Sequence, residues 1–411
     1  MKWNKCKIVC VIFVVFIIDI LYKKLFFIKE EFFAKQIGYN MIIGYKDNLA
    51  ENATGLDKVR AIIAGCEDGM NTEYVLKNQC INLYGGFQRL LRKKVVNDIE
   101  PSNDIIKLEN GYLSFYDHYR QSTDKILNKT IEFNDFLKKQ KVPLLYVQAP
   151  GKISKYNDKI PEGIKDYDND KVDEYLKGLS REEINFIDLR KSIKKDKIDH
   201  YSMFFKTDHH WTPRAGLWAF GKISKELNEN YGFNIDSELW NEKNYNIKTY
   251  KKSFLGSEGK RTGIFYTGLD DFDIITPKFK TNFEFKVESQ NIYREGEFKK
   301  SLLDFNMFKT SDYFNAWTYS TYSGGDYGFL NIKNKTNNNG KTVLLIRDSF
   351  ACVVTPFLAE ACSELDIVDL RQSDSINLRE YVNNNKPDIV IVMYNPSSLV
   401  DSPTFNYLSS E

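Results

Sequence analysis

Histidine, cysteine and net charge are all scarce in this chain. Four histidines in 411 residues make any adjacent pair informative. The six cysteines include no pair with metal-site spacing. Cys6 and Cys10 belong to the N-terminal segment read below as an anchor, while Cys66 and Cys80 could bridge in an oxidising compartment. Cys352 and Cys362 fall on one predicted helix, roughly 15 Å apart along its axis, which is too far for a disulfide. The 58 basic and 56 acidic residues leave a formal charge of +2, with no concentrated positive field, so nucleic acid is not an expected partner. There is no internal repeat, and no cofactor is called for.

Apolar residues at 42% and aromatics at 14% are ample for a core. The many tyrosines and phenylalanines serve packing first, although exposed rings also suit sugar faces. At the N-terminus, Lys2, Lys5 and Lys7 precede the apolar run from Ile8 to Ile18, with Asp19-Ile20-Leu21-Tyr22 and Lys23-Lys24 beyond it. A basic start before an apolar run is a secretory signal or a signal anchor. The run is short of the roughly 20 residues of a full span, but Leu25 to Ile28 extend it if the lysines snorkel. No small-x-small cleavage site follows. The expectation is an uncleaved membrane anchor over residues 1–29 with the bulk of the chain extracytoplasmic, and a cleaved signal peptide is the alternative.

Residues 30–110 read as a charged, amphipathic helical juxtamembrane segment, interrupted at Gly85-Gly86 and ended by Pro101-Ser102-Asn103-Asp104. Residues 111–411 then alternate strands and helices. A helix is predicted from Thr123 to Lys139, then strands at Pro143 to Val147 and Ile184 to Leu189, then a helix opening at Pro213 and stopping near Gly232. Residues 235–335 form an irregular, β-rich insertion. The alternation resumes with a strand at Thr342 to Ile346, a helix from Ser349 to near Leu365, a strand at Ile367 to Leu370, a helix at Leu378 to Val382 and a strand at Asp388 to Met393. Alternating strands and helices imply an α/β fold with a parallel sheet covered on both faces, whose reactive groups collect at the carboxyl ends of strands. Ser349 falls at such an end.

The chemistry concentrates in Thr207-Asp208-His209-His210-Trp211-Thr212-Pro213 and Arg347-Asp348-Ser349-Phe350. In an extended segment Asp208 and His210 share a face, so the carboxylate can set the imidazole's tautomer. His209 would then point away, in a supporting role. An acid, a base and a serine are what acyl transfer through a serine requires. The plainer readings are that Thr207 or Asp208 caps the helix opening at Pro213 and that Ser349 caps its own helix. Capping does not explain two histidines and a tryptophan. A metal site is the rival use of Asp-His-His, but only His118, His200 and carboxylates remain to complete it.

The run Thr207 to Gly216 resembles the signature of the bacterial DHHW family, which is similar to the SGNH-hydrolase-like O-acetyltransferases of alginate modification. The resemblance continues at Gly259-Lys260-Arg261-Thr262-Gly263, Gly268-Leu269-Asp270-Asp271, Arg347-Asp348-Ser349-Phe350, Pro356-Phe357-Leu358 and Asp369-Leu370-Arg371, spanning about residues 110–400. It implies a three-layer α/β/α domain with Ser349 as nucleophile, His210 as base and Asp208 as orienting acid. Arg347 stands where SGNH nucleophile motifs often have Gly and is a candidate contact for an anionic group. Asn395, Gly324 and Gly325 are candidate oxyanion donors, and Lys152, after Pro150-Gly151, matches a family position near the same sheet edge. The implied activity is O-acetylation of a cell-surface polysaccharide through an acyl-serine, with a multi-span membrane acyltransferase as acetyl donor. A carbohydrate acetylesterase with the same triad, or a non-catalytic polysaccharide-binding or assembly protein, are the alternatives.

Overall fold

The structure, a computed structural model, describes residues 77–98, 101–309, 311–372 and 376–408. The membrane anchor expected over residues 1–29, most of the juxtamembrane segment and Cys66 lie outside the described residues. Among those described, no helix is long and apolar enough to cross a membrane. The chain divides into two units, Met1–Cys80 and Ile81–Glu411, and the description below concerns the second.

The first helix, α1 (Lys77–Leu90), runs unbroken through Gly85-Gly86. The glycines do not interrupt it as the sequence suggested; Gly85 sits on the Thr262 carbonyl, where a Cβ would collide. Nor is the stretch up to residue 110 helical throughout. After α1 comes a three-stranded antiparallel sheet of β1 (Val95–Val96), β2 (Ile105–Lys107) and β3 (Leu113–Ser114). Ile105, Ile106 and Leu113 are buried by it.

The main layer sequence follows. Helix α2 (Asp124–Lys139) leads to β4 (Leu144–Gln148), then α3 (Asp168–Arg181), β5 (Phe186–Asp188), α4 (Leu189–Lys195) and α5 (Pro213–Asn230). The insertion supplies β6 (Tyr245–Phe254), α6 (Ser257–Thr262), β7 (Asp270–Pro277), β8 (Phe283–Val287), β9 (Ile292–Gly296) and β10 (Phe329–Asn334). The chain closes with β11 (Thr342–Arg347), α7 (Thr355–Ala361), β12 (Glu364–Val368), α8 (Leu378–Asn385) and β13 (Ile389–Tyr394).

Eight strands form one sheet in the order β5-β4-β13-β11-β12-β10-β8-β9. The first five are parallel, as expected from the βαβ pattern. The other three are not: β10 pairs antiparallel with β12 and β8, and β8 with β9. The sheet is therefore mixed, because the insertion adds strands to its edge by hairpin-like returns that need no crossover helix. The central strands β11 and β13 are buried on both faces, which explains their unbroken apolar sequences. Alternate residues feed two cores. Leu145, Val147, Leu345 and Ile391 face α4, α5 and α7, whereas Leu144, Tyr146, Leu344 and Val392 face α2, α3 and α8. The three-layer arrangement inferred from the resemblance is present.

The segment after Ser349 is not one helix. Ser349–Val353 is a 3-10 turn, α7 is separate and short, and Leu365 already belongs to β12. Cys352 and Cys362 thus lie in different elements, both as buried free thiols. The carboxyl ends of the adjacent strands β4, β13 and β11 bring Lys152, Asn395 and Ser349 to one edge of the sheet.

Candidate active site

The motif segment is a compact turn rather than a strand, pinned at every residue. Asp270 at the start of β7 accepts from Lys206 N–H (2.8 Å), Thr207 N–H (2.8 Å) and Thr207 Oγ1 (2.6 Å). The Thr207 carbonyl accepts from Gly259 N–H of α6 at 2.8 Å. Trp211 is fully buried and donates its indole N–H to the Phe350 carbonyl at 2.8 Å, tying the histidine turn to the serine turn. The cap of α5 is Thr212, which accepts from Ala215 N–H, with Pro213 in the first turn. Thr207 and Asp208 are thereby free of the capping role that a simpler reading would give them.

Asp208 is buried. Its Oδ1 lies 2.6 Å from His210 Nδ1 and accepts His210 N–H at 3.1 Å. Its Oδ2 accepts Ser257 N–H at 2.7 Å. Burial alone would raise this carboxyl's pKa, but the His210 and His209 imidazoles and these hydrogen bonds outweigh it and hold it well below the usual carboxylate range. An ionised Asp208 keeps the proton of neutral His210 on Nδ1, so Nε2 carries the lone pair. Ser349 Oγ is 2.8 Å from that Nε2, and its hydroxyl donates there.

The serine is presented by its neighbour. Asp348, not Ser349, is the cap: its Oδ1 accepts Phe350 N–H at 2.9 Å. Its Oδ2 receives Asn395 N–H, Asn395 Nδ2 and Ser398 Oγ, each at 2.7 Å. Ser349 Oγ is left for His210. Two rings lie against the His210 imidazole. Tyr319 lies parallel to it at 3.9 Å between centroids, with its hydroxyl on the Phe350 carbonyl, and His209 lies at 3.7 Å. His209 therefore does not point away as an extended segment would require; the turn folds it onto His210.

The remaining predicted site residues do other things. Arg347 is 1% exposed, and its guanidinium is committed to the Asp326 carboxylate and to the Gly325 carbonyl at 2.9 Å, with Asp369 at 3.8 Å. It braces the β11 end from within and offers nothing to a substrate. The Asn395 side-chain amide is spent on Asp348 and Ser398, and its Oδ1 on Ser397, so it positions the serine turn instead of facing an oxyanion. Gly325 gives its carbonyl to Arg347, and Gly324 gives its carbonyl to the Tyr327 hydroxyl. Lys152 is 4% exposed and pairs at 3.3 Å with Glu258, which is 0% exposed. The loop carrying Lys152 is fixed by His200 Nε2, 3.1 Å from both the Gly151 and Lys152 carbonyls.

Sequence reasoning missed Ser257, Glu258 and Tyr319. All three lie in the irregular insertion, and the only hint was that the family-like stretch resumes at Gly259, next to Glu258. Gly256 is required where α6 meets the turn, because a Cβ there would overlap the Asp208 side chain. One donor atom from each of Asp208, His209 and His210 falls within 4.8 Å of the others, a spacing that could suit a metal. In this arrangement Asp208 and His210 hold each other, and His210 Nε2 faces Ser349. Three donors also fall one short of a closed tetrahedral set.

A sheet of this order, with a serine turn at the end of a central strand and an Asp-x-His turn against it, is an SGNH hydrolase-like α/β fold. The family model described as the SGNH hydrolase-like domain of acetyltransferase AlgX matches residues 115–251, a third of the chain. Among solved structures, Bacillus cereus PatB1 carrying a sulfonyl adduct is similar with a TM-score of 0.61 at 19% identity, over 77% of this chain and 98% of that one. A DHHW family protein from Eubacterium siraeum gives a TM-score of 0.58 at 17% identity, over 78% of this chain and 100% of that one. At these identities the structural likeness is one of fold. No curated protein gives a sequence match.

Burial raises the Glu258 carboxyl, which Lys152 opposes and Asp208 assists, leaving it pushed up to about 7 from an ordinary 4.5. Between those values the folded state holds a proton that the unfolded state has released, so this group's contribution to stability falls as pH rises from about 4.5 to about 7. The slope is at most about 1.4 kcal/mol per pH unit. Glu258→Gln should remove that slope, because its amide stands in for the protonated carboxyl and cannot titrate. Urea unfolding of both proteins across pH 4.5 to 8 measures it, and a wild-type-minus-variant difference that stays flat with pH would contradict the assignment.

Proposed function

We propose that this chain is a serine-dependent O-acetyltransferase that moves acetyl to hydroxyls of a cell-surface polysaccharide, held outside the cytoplasm by an N-terminal anchor. The observation that carries this reading is the continuous line from Asp208 through His210 to Ser349, with spacings of 2.6 and 2.8 Å. The match to the family of an acetyltransferase supports transfer over simple hydrolysis. The basic-then-apolar N-terminus supports the anchor, and an anchored transferase is suited to taking acetyl from a membrane acyltransferase.

In the first half-reaction Ser349 Oγ attacks the donor's acetyl carbonyl carbon while its proton passes to His210 Nε2. Asp208 stabilises the imidazolium through Nδ1–H, and the Tyr319 ring face beside it favours the positive charge. The tetrahedral intermediate collapses, and the leaving group departs with the proton from His210. In the second half-reaction a sugar hydroxyl gives its proton to His210, and its oxygen attacks the acyl carbon. Ser349 Oγ then leaves and recovers that proton. Water in place of the sugar would make the same site an acetylesterase.

With an activated acetyl ester, the wild-type protein should show a burst equal to one acetyl per chain. Ser349→Ala should abolish the burst, and His210→Ala should slow it by about 10³-fold or more. Added oligosaccharide should divert acetyl from free acetate to an O-acetylated sugar, detectable by mass, and chelators should change neither product. Acetate release that ignores every glycan would replace the transferase with the esterase. An unchanged Ser349→Ala protein would leave a polysaccharide-binding role.

A further inference from the structure

His209 has no task in the acyl-serine cycle, yet it is as firmly placed as His210. Its Nδ1 lies 2.7 Å from Ser257 Oγ, Ser257 Oγ lies 3.2 Å from Glu258 Oε2, and Lys152 reaches Glu258 Oε1 at 3.3 Å. A hydroxyl has one proton to give. When Glu258 is a carboxylate paired with Lys152, that proton goes to Glu258, and Ser257 Oγ must accept from His209 Nδ1–H. A neutral imidazole then has its lone pair on Nε2. His209 stays neutral: burial, followed by the adjacent His210, holds its pKa down to about 3. The relay thus sets one tautomer of His209, as Asp208 does for His210. Among the described residues no group takes up His209 Nε2, and the ring is half-buried instead of sealed.

The two imidazoles are in contact, tilted by 37° with centroids 3.7 Å apart, and a ring nitrogen of one lies within 4.8 Å of a ring nitrogen of the other. We propose that His209 Nε2 accepts a hydrogen bond from the hydroxyl adjacent to the attacking one, so that the site selects a vicinal diol as acyl acceptor. The proposal rests on the acyl-serine reading above. The attacking hydroxyl gives its proton to His210 Nε2 while its neighbour donates to His209 Nε2, and only the first is consumed. Water, with one oxygen, cannot occupy both positions at once, so the pair of lone pairs favours a sugar over hydrolysis. Ser257, Glu258 and Lys152 are positioning residues for His209.

The test reads how a preformed acyl-enzyme divides its acetyl, which does not depend on how fast it forms. The full chain at pH 8, where Glu258 is ionised, is loaded with p-nitrophenyl acetate. It is then given a methyl hexopyranoside with adjacent free hydroxyls, or its 3-deoxy analogue, in which no two hydroxyls are adjacent. Wild type should prefer the diol by about tenfold, the worth of one hydrogen bond. His209→Phe keeps a ring against His210 but should drop the ratio of acetylated sugar to acetate about tenfold and erase the preference. Ser257→Ala retains its N–H on Asp208 and should lower the ratio about threefold by freeing the tautomer. Nitrogen-15 NMR of wild type should show His209 protonated on Nδ1, and a proton on Nε2 would overturn the proposal whichever variants fold. A diol preference that survives in His209→Phe would also overturn it and leave the acyl-serine reading standing. Absence of any acyl-enzyme in wild type would sink both.

Discussion

A buried carboxylate with all its donors supplied by the fold is the constraint around which this site is built. Asp208 has been taken out of water, which by itself would drive it neutral. It stays charged because Oδ1 receives both N–H groups of His210 and Oδ2 receives the backbone of Ser257. The first pair of donors comes from the same turn, and the third comes from the insertion. The geometry of this site therefore needs the insertion docked against the turn, and the Gly256 contact, with no room for a Cβ, marks how close that docking is. The same logic recurs at Asp348, whose second oxygen is saturated by three donors from the loop after β13. Two buried anions, each satisfied from another part of the chain, fix the histidine turn and the serine turn.

This arrangement explains what the sequence made legible and what it hid. The parallel half of the sheet was readable because strands covered on both faces must be apolar throughout, as in Thr342–Arg347 and Ile389–Tyr394. The antiparallel half was not. Strands β8, β9 and β10 alternate more and less buried positions and carry Lys, Glu and Asn on the open face, so the stretch read as irregular. Their partners are fixed by tertiary pairing, which no local period reveals. Asp208, His210 and Ser349 were nameable because spacing and strand position constrain them locally. The contacts of Arg347, Asn395 and Lys152 were not legible, for the opposite reason. Their roles depend on Asp326, Asp348 and Glu258, which lie 21, 47 and 106 positions away.

The misreading of His209 is instructive. Alternation along an extended chain would send it away from His210, but hydrogen bonds from Asp208, Thr207 and Trp211 bend the segment into a turn. Adjacent histidines in a turn can come into ring contact, and here they do. A doubled histidine thus becomes two closely packed rings, tilted by 37°, one hydrogen-bonded to Asp208 and the other to Ser257.

Choosing between a sugar and water is difficult for any acyl-enzyme, because water is small, concentrated and chemically competent. Burying the reacting atoms slows water but does not select a sugar. Selection needs an interaction that water cannot copy, and a second acceptor lone pair beside the base is one, since it is satisfied only by a molecule with two suitably spaced hydroxyls. The cost is a neutral imidazole kept among charged groups. Lys152 and Glu258 meet it by cancelling one another's charge while holding Ser257 in register. On the proposed reading, the buried ion pair next to the site serves acceptor choice.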